Sequence, residues 1–270
     1  MRIRTKGQGQ ELAMLLPALI FITALIVLPF LLSVWFSFTD QRLVPRPIPT
    51  KFIGTTNYER MFVDPLFWQA IWNTVLFALI VTPVQLAMSL GAALILNSAI
   101  PFRGFFRSVA ILPLLLPMTV IVSIWAVLFR IPSAMLSVVA LSAWATFPYQ
   151  MLIYLAGLQD IPQDLYEAAK LDGAKRWQRF RYVTWPGLRN VNIFLIIITT
   201  VGALKLFTQV DILTKGGPNG ATTTIIHYLF KQGYATQKVG YASAVAVFFF
   251  LAVTAIALLQ RRFLKNEGEA

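Results

Sequence analysis

The side chains best spaced for chemistry lie in one polar stretch, Leu158 to Asn190, which reads LQDIPQDLYEAAKLDGAKRWQRFRYVTWPGLRN. Asp164 and Glu167 stand three apart and share one helix face. Leu165, Ala168 and Ala169 form another, and its small side chains let a partner surface approach closely. Catalysis is not what these residue types point to. Cysteine is absent and His227 is the single histidine, so thiolate metal sites, disulfides, cysteine nucleophiles and histidine clusters are all excluded. No acidic residue falls inside an apolar segment, so a nucleophile–base pair or an intramembrane proton relay has little to be built from.

Those residues must be positioned by membrane elements. Hydrophobic residues make up 57% of the 270 and charged residues 13%, where a soluble domain carries about 25% charged. Mean hydropathy is +0.69. A spanning helix needs about 20 mostly apolar residues, and six stretches qualify: Leu12–Phe38, Ala70–Asn97, Ser108–Phe129, Ala134–Gly157, Val191–Leu206 and Val239–Gln260. The fold class read from them is an all-α integral membrane bundle of six transmembrane helices. Its domains are a terminus 1–11, a first helix with external loop 12–69, a transmembrane domain 70–260 containing the loop 158–190, and a tail 261–270. The net charge of +12 fits cationic loops against an anionic membrane surface better than nucleic acid in so apolar a chain. Lys and Arg favour the side holding both termini, which places both in the cytoplasm. The first apolar run is too long for a signal h-region, and 36–40 offers no small-residue cleavage site, so it reads as a retained helix. Pro17, Pro29, Pro83, Pro113, Pro117 and Pro148 interrupt the spans, which a bundle tolerates where neighbours satisfy the freed backbone groups.

Within the polar loop, Pro162 to Leu171 reads as a short helix. Pro162 and Asp164 suit its start, Lys170 its end, and Gly173 the left-handed stop. From Ala174 to Val183, Lys175, Arg176, Arg179 and Arg181 interleave with Trp177, Phe180 and Tyr182, the composition of an interfacial amphipathic helix, which Pro186 is expected to end. From composition alone, the loop reads equally well as a solvated bilayer face.

The spacing Glu167-Ala168-Ala169, three residues, Gly173, nine residues, Val183-Thr184-Trp185-Pro186 resembles the EAA loop of ABC-importer permeases, Glu-Ala-Ala-x3-Gly-x9-Ile-x-Leu-Pro. Val183 replaces the Ile and Trp185 the Leu. The resemblance covers nearly the whole chain and is nearest to the carbohydrate-importer branch similar to maltose and glycerol-3-phosphate permeases. It adds Phe52-Ile53-Gly54 with Asn57-Tyr58, Trp72-Asn73-Thr74, Phe102-Arg103-Gly104, Leu112-Pro113, Leu213 through Pro218 and Gly240 through Ala244. Relatives carry some tens of residues where only Arg130-Ile131-Pro132 stands here. Either the external connection is unusually short here, or the natural protein has a longer segment; an intact mass clearly above 30.3 kDa would show the second and a mass at that value the first.

The resemblance implies a type I ABC importer permease fold whose short cytoplasmic coupling helix, between spans four and five, docks on an ATPase. Asp164, Glu167, Ala168, Ala169, Asp172, Gly173 and Pro186 are then the coupling residues, with Glu167 meeting a basic group. The implied partners are a second, homologous permease subunit, two ATPase subunits, an external sugar-binding protein and membrane lipid, in the bacterial inner membrane; nucleic acid is not among them. The chain contains no G-x-x-x-x-G-K-[ST] stretch, so ATP and Mg would be bound by the partners and no cofactor by this chain. Substrate-path candidates are Asn73, Gln85, Trp144, Tyr149, Gln150, Thr199, Lys205 and Gln209, chosen because polar groups in spans often face the interior and aromatics stack on sugar rings. Most of these residues are expected to be helix–helix ties, with a minority touching substrate. Gly216, Gly217 and Pro218 form a turn that the resemblance turns toward the binding protein, the other reading being a plain connector. Competing cargoes are an amino acid, a peptide or an ion; a secondary transporter is the more distant rival.

Overall fold

The computed structural model describes residues 8–45, 47–98, 100–128 and 134–266. Among them every regular element is helical, apart from one isolated antiparallel bridge between Thr39 and Phe52. The connection at Arg130–Pro132 and the chain termini at 1–7 and 267–270 lie outside the described residues. In chain order the helices begin with α1 (Gln8–Ile22), α2 (Leu28–Ser37), α3 (Thr56–Val63), α4 (Pro65–Asn97) and α5 (Arg103–Leu115). There follow α6 (Met118–Leu128), α7 (Ala134–Gln159), α8 (Gln163–Leu171), α9 (Arg176–Arg179) and α10 (Trp185–Gly187). The last are α11 (Arg189–Leu204), α12 (Thr208–Leu213), α13 (Ile225–Phe230) and α14 (Val239–Asn266). Wider π turns occupy Thr23–Val27, Phe180–Thr184 and Lys231–Ala235.

Among the described residues, four helical stretches are long and apolar enough to cross a membrane: Leu15–Ser37, α4, α7 and Val239–Phe263. Two bent pairs bring the total to six if each is one span: α5 with α6, bent by 97°, and Arg176–Gly187 with α11, bent by 68°. The third span predicted from sequence is therefore not straight. Its break falls at Leu116, which is extended (φ −98°, ψ 139°), because the ring of Pro117 disfavours helical dihedrals in the residue before it. The second span starts at Pro65 rather than Ala70, since proline fits a helix's first position, where no backbone donor is needed. Two of the π turns lie immediately before prolines, Pro29 and Pro186. In each the wider bond (Leu28 N–H to Thr23 O, Trp185 N–H to Phe180 O) relieves the crowding a proline ring causes one turn back.

The chain forms two compact units, Met1–Asp64 with Leu229–Leu251, and Pro65–Tyr228 with Ala252–Ala270. In the first, Leu25 and Ile26 are 69% and 65% exposed, as a lipid-facing helix requires. Asn57 Nδ2 donates to Ser37 O and Thr39 O, both at 2.9 Å, and Tyr58 Oη donates to Ser37 Oγ at 2.8 Å. The Asn57-Tyr58 pair thus ties down the end of α2. Gly240 presses its α-carbon face against the Thr39 and Phe36 carbonyls, where any added Cβ would collide with backbone. Gly240→Val should therefore destabilise by about 1–3 kcal/mol through overpacking. Gly91→Ala, where a Cβ meets nothing within 4 Å, should be neutral or slightly stabilising. Thermal unfolding of the purified subunit checks both.

The second unit is centred on α4, α7 and α11. Met151, Tyr154, Leu155 and Leu158 of α7 pack with Ala93 and Leu96 of α4, and with Leu188 and Leu195. Lipid is as apolar as these side chains, so close packing and interhelical hydrogen bonds, averaging about 0.6 kcal/mol each, must hold such helices together.

Candidate functional site

The polar loop folds as its local signals predict. Pro162 takes the N-cap position with Asp164 in the first turn and Lys170 in the last. At the other end Gly173 has φ +76°, a conformation costly for any residue with a Cβ. Gly173 N–H donates to Lys170 O at 3.0 Å and Ala174 N–H to Ala169 O at 2.9 Å, the paired bonds of a Schellman stop. On α8, Asp164, Glu167 and Ala168 are exposed and Ala169 half-buried. Glu167 makes no hydrogen bond or ion pair among the described residues, so it is not a local cap. Leu171 is 89% exposed and Leu165 52%, an apolar edge beside the two carboxylates. Tyr166 turns the other way, its hydroxyl 3.0 Å from Thr184 Oγ1, and so fixes α8 to the following segment. Asp172, Gly173 and Pro186 are all exposed.

One expectation is corrected here. Pro186 does not end the interfacial helix: the π turn at Phe180–Thr184 carries the chain past it, and α10 continues to Gly187. The break comes at Leu188 (φ −85°, ψ 5°). Along this segment Trp177 stacks on Phe180 at 5.5 Å and Phe180 lies 6.1 Å from Trp185, an aromatic row flanked by Arg176 and Arg179.

A second cluster surrounds the Gly216-Gly217-Pro218 turn. Lys215, Gly216, Asn219 and Gly220 have positive φ, and the Gly217–Pro218 peptide is cis. Asn73 Nδ2 donates to Gly220 O at 2.8 Å and Thr223 O at 3.0 Å. Thr74 Oγ1 accepts the Ile225 N–H at 2.9 Å, and Thr214 and Thr222 hydroxyls meet at 2.7 Å. Asn73 is thus a latch for this turn rather than a cavity wall. His227 is 6% exposed, with Nε2 3.6 Å from Asp211 Oδ1; among the described residues no acid–histidine group able to hold a metal occurs.

The third feature is a cavity of about 480 Å³ in the second unit. Of the substrate-path candidates, Gln85, Tyr149, Gln150, Thr199 and Gln209 line it. Trp144 instead packs on Trp125 at 5.9 Å, and Lys205 caps α11. The polar wall is loosely bonded. Gln150 Nε2 donates to Gln85 Oε1 at 3.4 Å and to Thr199 Oγ1 at 3.3 Å, while Gln85 Nε2 donates to Ser142 O at 3.1 Å. Bonds longer than about 3.2 Å are weak, so the Gln150 amide can exchange partners at little cost, while Gln85 is held by its bond to Ser142 O. Ser142 Oγ is buried and has no hydrogen-bond partner among the described residues. Ser142, Thr146 and Phe77 also line the cavity and were missed from sequence. The signal was present, since Ser142, Thr146, Tyr149 and Gln150 recur at helical spacing on α7. None of the lining residues is Asp, Glu, Lys, Arg or His.

Helices apolar enough to span a membrane, an interior cavity whose largely apolar wall carries a patch of amides and hydroxyls, and a short exposed helix on a basic loop define a polytopic membrane transport component. Residues 85–266 match the family of binding-protein-dependent transport system inner membrane components, and the chain belongs to it. The family's members are non-catalytic, multi-pass permeases of the inner membrane. The chain is 35% identical over 271 residues to the sulfoquinovosyl glycerol transport system permease protein of Agrobacterium fabrum, covering 91% of this chain and 88% of that one. To the trehalose/maltose transport system permease protein of Thermococcus litoralis it is 32% identical over 270 residues, covering 91% and 90%. In fold it resembles a chain of a bacterial alginate ABC transporter, crystallised with a periplasmic protein holding an alginate pentasaccharide. That match has a TM-score of 0.77 at 21% identity and covers 97% of both chains.

Proposed function

We propose that the chain is one of two homologous transmembrane subunits of an ATP-driven importer for an uncharged sugar, a mono-, di- or oligosaccharide or related polyol. The observation that carries the cargo assignment is the polar patch on a largely apolar cavity wall: amides, hydroxyls and the Tyr149 ring, with no formal charge among the lining residues. Amides and hydroxyls match a ring of sugar hydroxyls, whereas an amino acid, peptide or ion would call for a countercharge. The trehalose/maltose relative's printed substrates are of the same uncharged class, while sulfoquinovosyl glycerol, a sulfonated sugar, supports a carbohydrate cargo only in the broader sense.

In this reading the two bent pairs each count as a span, giving six, and both termini are cytoplasmic by the excess of Lys and Arg on that side. Two ATPase subunits bind ATP and Mg below the membrane, and α8 is the coupling helix seated in a cleft of one of them. Its exposed Asp164 and Glu167, small Ala168 and Ala169, and protruding Leu171 support that role. Asp172, Gly173 and Pro186 shape the chain around it. Closure of the ATPases would pull α8, and through the Tyr166–Thr184 bond the segment leading into α11. Thr199 lies on α11 and lines the cavity, so the pull reaches the substrate path. An external sugar-binding protein would dock over the Gly216-Gly217-Pro218 turn, which Asn73 and Thr74 hold against α4.

The cargo is tested by counterflow-free uptake into proteoliposomes holding the permease pair, the ATPases and the cognate binding protein. Labelled neutral sugars should accumulate and be outcompeted only by other neutral sugars. Accumulation of amino acids or peptides with no sugar uptake contradicts the assignment.

A further inference from the structure

We infer that the cleft between the end of α4 and the α9 segment binds an anionic phospholipid through its phosphate. The cleft has a volume of about 720 Å³. One wall is Leu94 and Ile95 near the end of α4, and the other carries Arg176, Arg179, Trp177 and Phe180. Three observations fix the occupant. Arg176–Gly187 is bent 68° from α11, so where α11 forms the membrane-crossing limb of that broken span this segment turns toward the membrane plane. Its Trp177 and Phe180 rings stack at 5.5 Å and Trp177 is 70% exposed, which suits the polar–apolar boundary. The two guanidinium groups face no acidic lining residue, make no ion pair among the described residues, and leave Arg179 Nε buried with no acceptor.

A planar guanidinium prefers a phosphate to a water-exposed point charge, and two of them three residues apart on one short helix can share one phosphate. The apolar wall formed by Leu94 and Ile95 then receives the start of an acyl chain. An acidic peptide would satisfy the arginines but would leave that wall unfilled, and a free phosphate would do the same. An anionic lipid also accounts for the location, because the inner leaflet attracts juxtamembrane cations. Tyr166 of α8 borders the same cleft, so lipid occupancy would brace the helix proposed to dock the ATPase.

The test uses the full permease–ATPase assembly in nanodiscs of phosphatidylcholine containing phosphatidylglycerol. After mild delipidation, native mass spectrometry should find phosphatidylglycerol retained over phosphatidylcholine, with the excess falling about tenfold in Arg176→Gln/Arg179→Gln. In the unmodified chain, brominated phosphatidylglycerol should quench tryptophan emission more than brominated phosphatidylcholine, and Trp177→Phe should remove most of that difference. Equal retention in the double variant, or quenching that does not distinguish the two lipids, overturns the assignment. So does a double variant that loses the ATPases while keeping its phosphatidylglycerol, which would give the cleft to a protein partner.

Discussion

Glu167→Lys should reduce ATP-driven uptake to background while leaving the permease inserted in the membrane at normal levels. Glu167 is exposed on α8 and has no hydrogen-bond or ion-pair partner among the described residues, so its replacement removes nothing that holds the subunit together. Lysine is also a good helix former. What changes is the surface offered to the ATPase. Losing one partner of a buried, hydrogen-bonded charge pair across an interface costs about 2–5 kcal/mol, and reversing the sign adds repulsion to that loss. Glu167→Gln keeps the shape and a hydrogen-bonding group, so it should retain part of the activity. Co-purification of the ATPases with each variant, measured beside uptake, separates failed docking from failed transmission. Unchanged uptake in Glu167→Lys would remove α8 from the coupling role.

The second large effect concerns the cavity. Gly202 lines it, and a Cβ built there meets no atom within 4 Å. Gly202→Ala should therefore be tolerated and even favour α11, since glycine inside a helix costs roughly 0.5–1 kcal/mol relative to alanine. Gly202→Phe fills a good share of a cavity of about 480 Å³ and should cut uptake at least tenfold, with the assembly intact and its ATPase activity measurable. The graded pair matters because a general folding defect would already show in the alanine variant. Full transport by Gly202→Phe would place the substrate path elsewhere.

How much of this was legible in the sequence depended on the range over which each feature is determined. α8 was nearly complete in advance, because Pro162 and Gly173 set its ends by local backbone rules. The bend at Pro117 was legible as a break, since the residue before a proline leaves the helical region, but its 97° angle depends on what α5 and α6 pack against. Pro186 misled for the same reason: proline as a terminator is a local rule, and the π turn before it evades the rule. The cavity shows the limit most clearly. Gln85, Gln150 and Asn73 gave one signal, a polar amide in an apolar run. The first two line the cavity, while Asn73 bonds to Gly220, 147 residues away. No periodicity along α4 distinguishes those fates, because the distinction lies in a loop that only the tertiary fold brings near. Asn57 and Tyr58 are alike in this, recognisable in sequence as a motif but explained only by their bonds to Ser37.

The most direct measurement of the central claim is uptake of a labelled neutral sugar by the reconstituted assembly, with the energy source varied. Import should require ATP on the ATPase side and the external binding protein, stop with vanadate, and ignore proton or sodium gradients. Sugar accumulation driven by an ion gradient, without ATP or the binding protein, would contradict the account.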